Sequence, residues 1–224
     1  NIIPYEIDNV RIRYYAENNA EAYAVGADFK INGEFVKGVD SWVNLGFMQV
    51  NENIKDDFYY TYFNDEGEKI IPGFTRNNVA TDIIRTEPGY IPRPTDQRIN
   101  FSLFFQDYLP KNPSYKMHMV FHYGSGLPFG PPSNERYKDT LRIPIYLRVD
   151  MGISKELLNE DTKLSPKSPL RHFKSIWIGL DVFNLLQRNN TLSYLWVTDV
   201  TNRQYAVPNF LTSRQVNLKL QVKF

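Results

Sequence analysis

Along most of this chain apolar and polar residues take turns, one for one, in runs of about ten positions. Tyr23, Val25, Ala27, Phe29 and Ile31 alternate with Ala24, Gly26, Asp28, Lys30 and Asn32. Val43, Leu45 and Phe47 alternate with Asn44, Gly46 and Met48, and Phe101, Leu103 and Phe105 with Ser102, Phe104 and Gln106. Met117, Met119, Phe121 and Tyr123 oppose His118, Val120 and His122. Ile145, Leu147, Val149, Met151 and Ile153 oppose Tyr146, Arg148, Asp150 and Gly152. Ile176, Ile178, Leu180 and Val182 oppose Trp177, Gly179, Asp181 and Phe183. The closing run, RQVNLKLQVKF, sets Val216, Leu218, Leu220, Val222 and Phe224 against Asn217, Lys219, Gln221 and Lys223. A period of two puts each set on its own face of a β-strand. Counting a partial strand at Ile2–Ile7, the pattern predicts about eight strands, most near the length that crosses a bilayer at a tilt.

The connectors sort into two kinds when counted back from Phe224. Residues 187–213, 125–141, 51–95 and a shorter 8–19 fall on one side; 154–173, 109–114 and 33–40 fall on the other and tend to be shorter. A soluble sandwich has no reason to sort its loops by side. Outer-membrane barrels do, with long extracellular loops and short periplasmic turns. The parity predicts 51–95 outside the cell and 109–114 in the periplasm. The segment 154–173 is the exception, too long for a plain turn, charged and proline-containing.

Charge follows the same division. Asp28, Lys30, Arg148, Asp150, Asp181, Lys219 and Lys223 all fall on the polar faces, and none of the apolar faces named above holds a charge. In a barrel the charged set would line the lumen, whereas a Lys or Arg facing lipid near the midplane costs roughly 2–4 kcal/mol. The whole chain of 224 residues has 26 Lys+Arg against 25 Asp+Glu, a net charge of +1 that argues against a nucleic-acid partner. Zero cysteines exclude disulfides, thiolate metal sites and a cysteine nucleophile, and three histidines leave little for zinc. No uncharged apolar run reaches the length of a membrane helix, which leaves barrel strands open. Tyr and Phe, 15 of each, suit strands with aromatic rims.

Candidate chemistry is sparse. His118 and His122 have the spacing of a helical zinc pair but lie in a strand, where a rise of about 3.3 Å per residue holds them too far apart for one metal. They read as lumen-facing structural residues. Gly124-Ser125-Gly126 is followed by the loop Leu127-Pro128-Phe129-Gly130 rather than by a helix, so it is no nucleophile elbow. Asn64-Asp65-Glu66-Gly67-Glu68 is a turn-like acidic tip without calcium-loop spacing. Arg148, Asp150, Asp181 and Lys30 read as a lumen salt network. No catalytic residue, metal ligand or cofactor is expected, and the chain does not read as an enzyme. Aromatic residues gather in the connectors: Tyr59, Tyr60, Tyr62 and Phe74 in 51–95, and Tyr194 and Trp196 in 187–213. Two readings stay open for them, a platform that stacks an external ligand and packing of loop on loop.

Several segments, in their order, are also familiar. PYEIDNVRIRYYAENNAEAYAVGADFKINGEFVKG, RPTDQRINFSLFFQDYLPKNPSYKMHMVFHYGSGLPFGPP, LRIPIYLRVDMGIS, IWIGLDVFNLLQ and PNFLTSRQVNLKLQVKF resemble the C-terminal third of TonB-dependent outer-membrane receptors. The nearest likeness is to the Bacteroidota, SusC-like group that carries a carboxypeptidase-like regulatory domain. The most specific pieces are Asp96-Gln97-Arg98, Arg148-Val149-Asp150, Asp181-Val182-Phe183-Asn184 and the terminal Phe224. The resemblance implies an all-β antiparallel transmembrane β-barrel of about 22 strands, of which residues 1–224 would supply the last eight or so. Plug and N-terminal domains would lie elsewhere in the polypeptide.

It implies bacterial outer-membrane localisation and TonB-dependent uptake of a glycan, peptide or metal chelate. It also implies several partners: the rest of the receptor, TonB through its N-terminal part, outer-membrane lipid, the insertion machinery and a SusD-like surface lipoprotein. Val216, Leu218, Leu220, Val222 and Phe224 would form the C-terminal insertion signal. The alternatives are a transporter-like barrel recruited as a subunit of another outer-membrane complex, a small stand-alone barrel or adhesin, and a soluble carbohydrate-binding sandwich.

Overall fold

A strand whose two faces differ this sharply needs neighbours in matching register, since a slip of one residue would turn every side chain to the wrong side. The computed structural model describes residues 2–7, 12–16, 18–130, 140–160, 162–165, 168–200 and 203–224. In chain order the strands begin with β1 (Ile2–Ile7), β2 (Ile12–Ala16), β3 (Ala20–Val36), β4 (Val39–Ile54), β5 (Tyr59–Phe63) and β6 (Asp82–Thr86). Then come β7 (Ile91–Pro92), β8 (Ile99–Leu109), β9 (Asn112–Gly124), β10 (Pro128–Phe129) and β11 (Leu141–Arg142). The last are β12 (Tyr146–Leu158), β13 (Ser175–Phe183), β14 (Thr191–Thr198), β15 (Gln204–Phe210) and β16 (Gln215–Lys223). One short 3-10 turn at Pro169–His172 is the only helical element among the described residues.

The long strands form one antiparallel sheet in the order β3-β4-β8-β9-β12-β13-β16, with the short β7 added on β4. Each connection along this path joins sequence neighbours among the long strands, the simplest meander available. Register matches parity along the alternating cores of the strands. Phe29, Leu45, Phe101, Tyr123 and Leu147 form one row across five strands. Phe105, Met119, Met151, Val182 and Val216 form another. The opposite face holds Lys30, Asn44, Ser102, His122 and Arg148 in one row, and Gln106, His118, Gly152, Asp181 and Asn217 in the next.

Each of the seven long strands exposes large apolar side chains. Apolar side chains lie bare, with Phe29 60% and Leu218 71% exposed, while Asp150 and Asp181 on the other face are 9% exposed. Charges meet the apolar face only at its margin, where Asp107 and Lys155 stand in rows beside Met117 and Ile178. The Lys155 ammonium there lies 5.1 Å from the Tyr115 ring centre.

The sheet is open, with β3 and β16 at its edges. In an all-antiparallel order the first and seventh strands run the same way. Sealing β3 to β16 would therefore make a parallel seam. An all-antiparallel closure requires an odd number of further strands between them.

The connectors separate by end as expected, and more sharply than the alternation alone implied. Lys37-Gly38 and Pro110-Lys111 are two-residue turns, because β3, β4, β8 and β9 run further than their alternating cores. With 159–174 they share one end of the sheet. The opposite end carries 55–98, 125–145 and 184–214, which contain β5–β6, β10–β11 and β14–β15 as small pairs of their own. Of the expected connector 125–141, residues 131–139 lie outside the described residues, as do 8–11 and 17 of the connector 8–19.

One expectation is corrected. Ile2–Ile7 is not a wall strand; it pairs with Ile12–Ala16 in a separate antiparallel hairpin. The sheet therefore has seven long strands rather than about eight. A strand of 6 residues finds its partner locally at little loop-closure cost, which alternation alone does not reveal.

Glycines admit the larger groups of the polar face. At Gly152 an added Cβ would sit 2.3 Å from Asp181 Oδ1 and 2.3 Å from His118 Cε1. Gly126 is more constrained, because its Cβ would lie 1.8 Å from the backbone oxygen of Ile143. Gly126→Ala is expected to part the two arms of the 125–145 connector and cost about 1–3 kcal/mol as an overpacking change. Limited proteolysis within 125–145 checks this, and wild-type resistance in the variant would contradict the packing described.

Candidate functional site

The polar face is the chemically rich surface, and it carries the larger hollows described below. A cavity of about 490 Å³ is lined from β8, β9, β12, β13 and β16 together, by residues including Phe104, Lys116, Ser154, Trp177 and Lys219. A second, of about 420 Å³, spans β3, β4 and the start of β8 at Asp28, Gly46 and Asn100.

The charged residues expected on this face are there, in separate small groups rather than one network. Arg148 Nε donates to Asp150 Oδ1 at 2.7 Å and Oδ2 at 3.0 Å, and its guanidinium lies 5.7 Å from the Phe183 ring centre. Asp181 Oδ1 faces His118 Nε2 at 3.6 Å, too long for a hydrogen bond, and has no hydrogen-bond partner. Asp28 and Lys30 stand opposite Gly46 and Asn44 on the edge strand. His122 Nδ1 lies 3.1 Å from Ser102 Oγ. Among the described residues no group of three His, Asp or Glu side chains could hold a metal ion. The C-terminal set Val216, Leu218, Leu220, Val222 and Phe224 projects from the apolar face, and Phe224 leans on Phe173 with ring centres 5.1 Å apart.

At the long-connector end, motifs that sequence reading marked only as signatures turn out to be joints. Asp96 is fully buried. Its Oδ1 accepts from the Val50 N–H at 2.7 Å; its Oδ2 accepts from Arg98 Nε at 2.7 Å and from Arg142 Nη2. Arg142 Nη1 also donates to the carbonyls of Asp96 and Gly126, at 2.9 Å each. One carboxylate thus ties β4 to two connectors. Burial alone would push the Asp96 carboxyl up, but the Val50 N–H and the Arg142 and Arg98 guanidiniums outweigh it and hold it below its ordinary value of 3.8.

A second joint closes β13. Asn184, at φ 51°, gives its N–H to Asp150 Oδ1 at 2.8 Å, and its side-chain Oδ1 accepts from the Arg188 N–H. Asn190 brackets Leu147 on both sides, accepting from its N–H at 3.0 Å and donating to its carbonyl at 2.9 Å. Asn tolerates the left-handed backbone here because its short amide bonds locally.

The six candidate aromatic residues fall into two clusters. Tyr60 and Tyr62 share one face of β5 with Phe58, over which Arg85 lies at 4.3 Å, while Tyr59 faces the other way. Tyr194 stacks on Phe129 with ring centres 4.4 Å apart and planes at 14°, and Trp196 lies 6.2 Å from the same ring. Phe129 was not singled out by sequence, since a Phe in a proline-rich loop carries no periodic signal. Because Phe129 covers Tyr194 face to face, this cluster is first of all a loop-packing core. Phe74 is 70% exposed and meets Arg203 of the 184–214 connector at 4.8 Å. Two connectors rooted on opposite sides of β9 and β12 therefore touch.

No family model, curated protein or solved structure matches this chain.

The Asp96 joint has a definite pH signature. Its folded pKa is depressed, so its contribution is present above the ordinary carboxylate range and is lost as pH falls through the folded value. Asp96→Asn is expected to loosen 55–98 and 125–145 by about 2–3 kcal/mol, the scale of hydrogen bonds to a charged group. Hydrogen-exchange protection in these segments, taken relative to the intrinsic rate at each pH from neutral to below the ordinary value, should fall for wild type and stay flat for the variant. Equal profiles would remove Asp96 from this role.

Proposed function

We propose that this chain forms wall and outer loops of a bacterial outer-membrane β-barrel of the TonB-dependent, SusC-like kind. Such a barrel imports a nutrient (a glycan, peptide or metal chelate) without covalent chemistry of its own. The observation that carries the reading is the continuous apolar face, uncharged from Ala27 and Phe47 through Tyr123 and Met151 to Leu220. Water gives no reason to leave so much apolar surface bare on seven successive strands. Lipid does, with the polar face turned to a lumen.

Three further features support it. From Tyr123 to Tyr115 on β9 the apolar face runs over nine residues, eight steps or about 27 Å along the strand, which suits a tilted crossing of the hydrocarbon layer. The two-residue turns would sit in the periplasm and the connectors 55–98, 125–145 and 184–214 outside. The open edges have a place as well. Unpaired N–H and C=O groups along β3 and β16 cost several kcal/mol each in lipid, so the sheet requires further strands on both sides. The requirement for an odd number of them agrees with a large, even-stranded barrel. In this setting the clusters at Tyr60–Tyr62 and at Tyr194–Trp196 would border the outer mouth, and TonB and a SusD-like lipoprotein would act through other parts of the receptor.

Leu220→Arg is expected to block membrane assembly, at a cost of about 2–4 kcal/mol on a lipid face, while Lys219→Leu leaves it nearly unchanged. Outer-membrane yields of the two variants in cells are the measurement, and equal yields would end the proposed orientation of the sheet. Topology has its own test, made simple by the absence of cysteine. Cysteines introduced at Asp65 and Asn112 should differ on intact cells, with an impermeant thiol reagent marking 65 and sparing 112. The reverse pattern would invert the barrel.

A further inference from the structure

We infer that the large hollow on the polar face is an anion site, built to hold a carboxylate or phosphate group inside the barrel. The inference rests on the barrel reading, which makes this face lumenal. Three lysines line the hollow: Lys116 from β9, and Lys219 and Lys223 from β16. Among the described residues no carboxylate forms an ion pair with any of them.

The acids in the strand rows next to the hollow, Asp181 and Glu156, do not neutralise the cluster. Asp181 is set toward His118 at the inner margin, and Glu156 Oε2 accepts from Asn159 Nδ2 at 3.5 Å. Lys116 Nζ is placed 5.9 Å from the Trp177 ring centre, so an aromatic wall orients one cation. Gln221 supplies an amide beside it. With a volume of about 490 Å³ the hollow lies in the range of small-ligand sites. Lysines that line one hollow without a carboxylate partner repel one another until an anion joins them, and charge-assisted hydrogen bonds then make that anion their natural ligand.

The same chemistry can come from an acidic side chain of another segment in the lumen or from an anionic solute in transit. Two labelling reactions on the intact polypeptide in isolated outer membranes separate these sources. A water-soluble carbodiimide joins a lysine to a carboxylate in contact with it, and mass spectrometry identifies the pair. Acylation of the lysines by a small amine reagent, with and without added phosphate or succinate, reports a free anion. A cross-link from Lys116, Lys219 or Lys223 to a carboxylate outside the seven strands supports the site with a protein occupant. Without such a cross-link, acylation of Lys116 and Lys219 slowed about tenfold by phosphate or succinate supports a solute, the factor being that of one charge-assisted pair. The inference is overturned if these lysines react as fast as Lys111 of the exposed turn, with no effect of anion and no cross-link. It is equally overturned by cross-links to Glu156 and Asp181 alone, which would show that the hollow neutralises itself. The barrel reading fails on a different readout, absence of the chain from the membrane fraction of the same sample.

Discussion

Everything in this molecule hangs on the cross-strand ladder, because pairing is what turns a one-dimensional alternation into two chemically opposite surfaces. Phe29 meets Leu45, Leu45 meets Phe101, and Phe101 meets Tyr123 only while three interfaces keep parity together. One slipped residue at β8 would send Phe101 to the side of Lys30 and Arg148, and Ser102 to the side of Phe29. The register therefore resists error in proportion to the contrast between the faces. Irregularities occur where that contrast ends: near Gly33 by the β3–β4 turn, at Tyr108 before the β8–β9 turn, and at Glu156 toward the end of β12.

The same ladder dictates what the connectors must do. At the two-residue turns the ladder simply folds back, and nothing else is required of Lys37-Gly38 or Pro110-Lys111. At the far end the chain leaves the sheet for long stretches, and backbone groups there need other partners. Asp96, Asn184 and Asn190 supply them with buried side chains aimed at neighbouring backbone. The aromatic contacts Phe129–Tyr194 and Phe74–Arg203 then bind one connector to another. Motifs such as Asp96-Gln97-Arg98 are thus explained as joints of the scaffold, which is a sufficient physical reason for their residue types.

Function, on the proposed reading, lies in the difference between the faces rather than in any reactive group. A barrel wall has to be inert toward lipid and selective toward whatever passes or sits within. The apolar face meets the first need by carrying no charge between its rims. The polar face meets the second with glycines such as Gly152 that admit larger neighbours, small ion pairs such as Arg148–Asp150, and a basic hollow with an aromatic wall. Unequal spacing of these groups along the face would give the interior distinct stations instead of uniform polarity.

Strand class, face assignment and the sorting of connectors by end were legible in the chain itself, because a period of two is a local property that each strand writes into its own residues. The charges of the polar face were legible for the same reason: Asp28, Lys30, Arg148, Asp150 and Asp181 are polar positions in otherwise apolar alternation. What pairs with what was not. Only the tertiary structure decided that Ile2–Ile7 folds back on Ile12–Ala16, and that Arg142 joins Asp96 across 46 residues. Only it showed that Phe129 covers Tyr194, and that Lys116 shares a hollow with Lys219 and Lys223. These contacts depend on how far neighbouring strands run before turning and on how the sheet curves. Both arise from the sum of many pairings, and neither leaves a mark at any single position of the sequence.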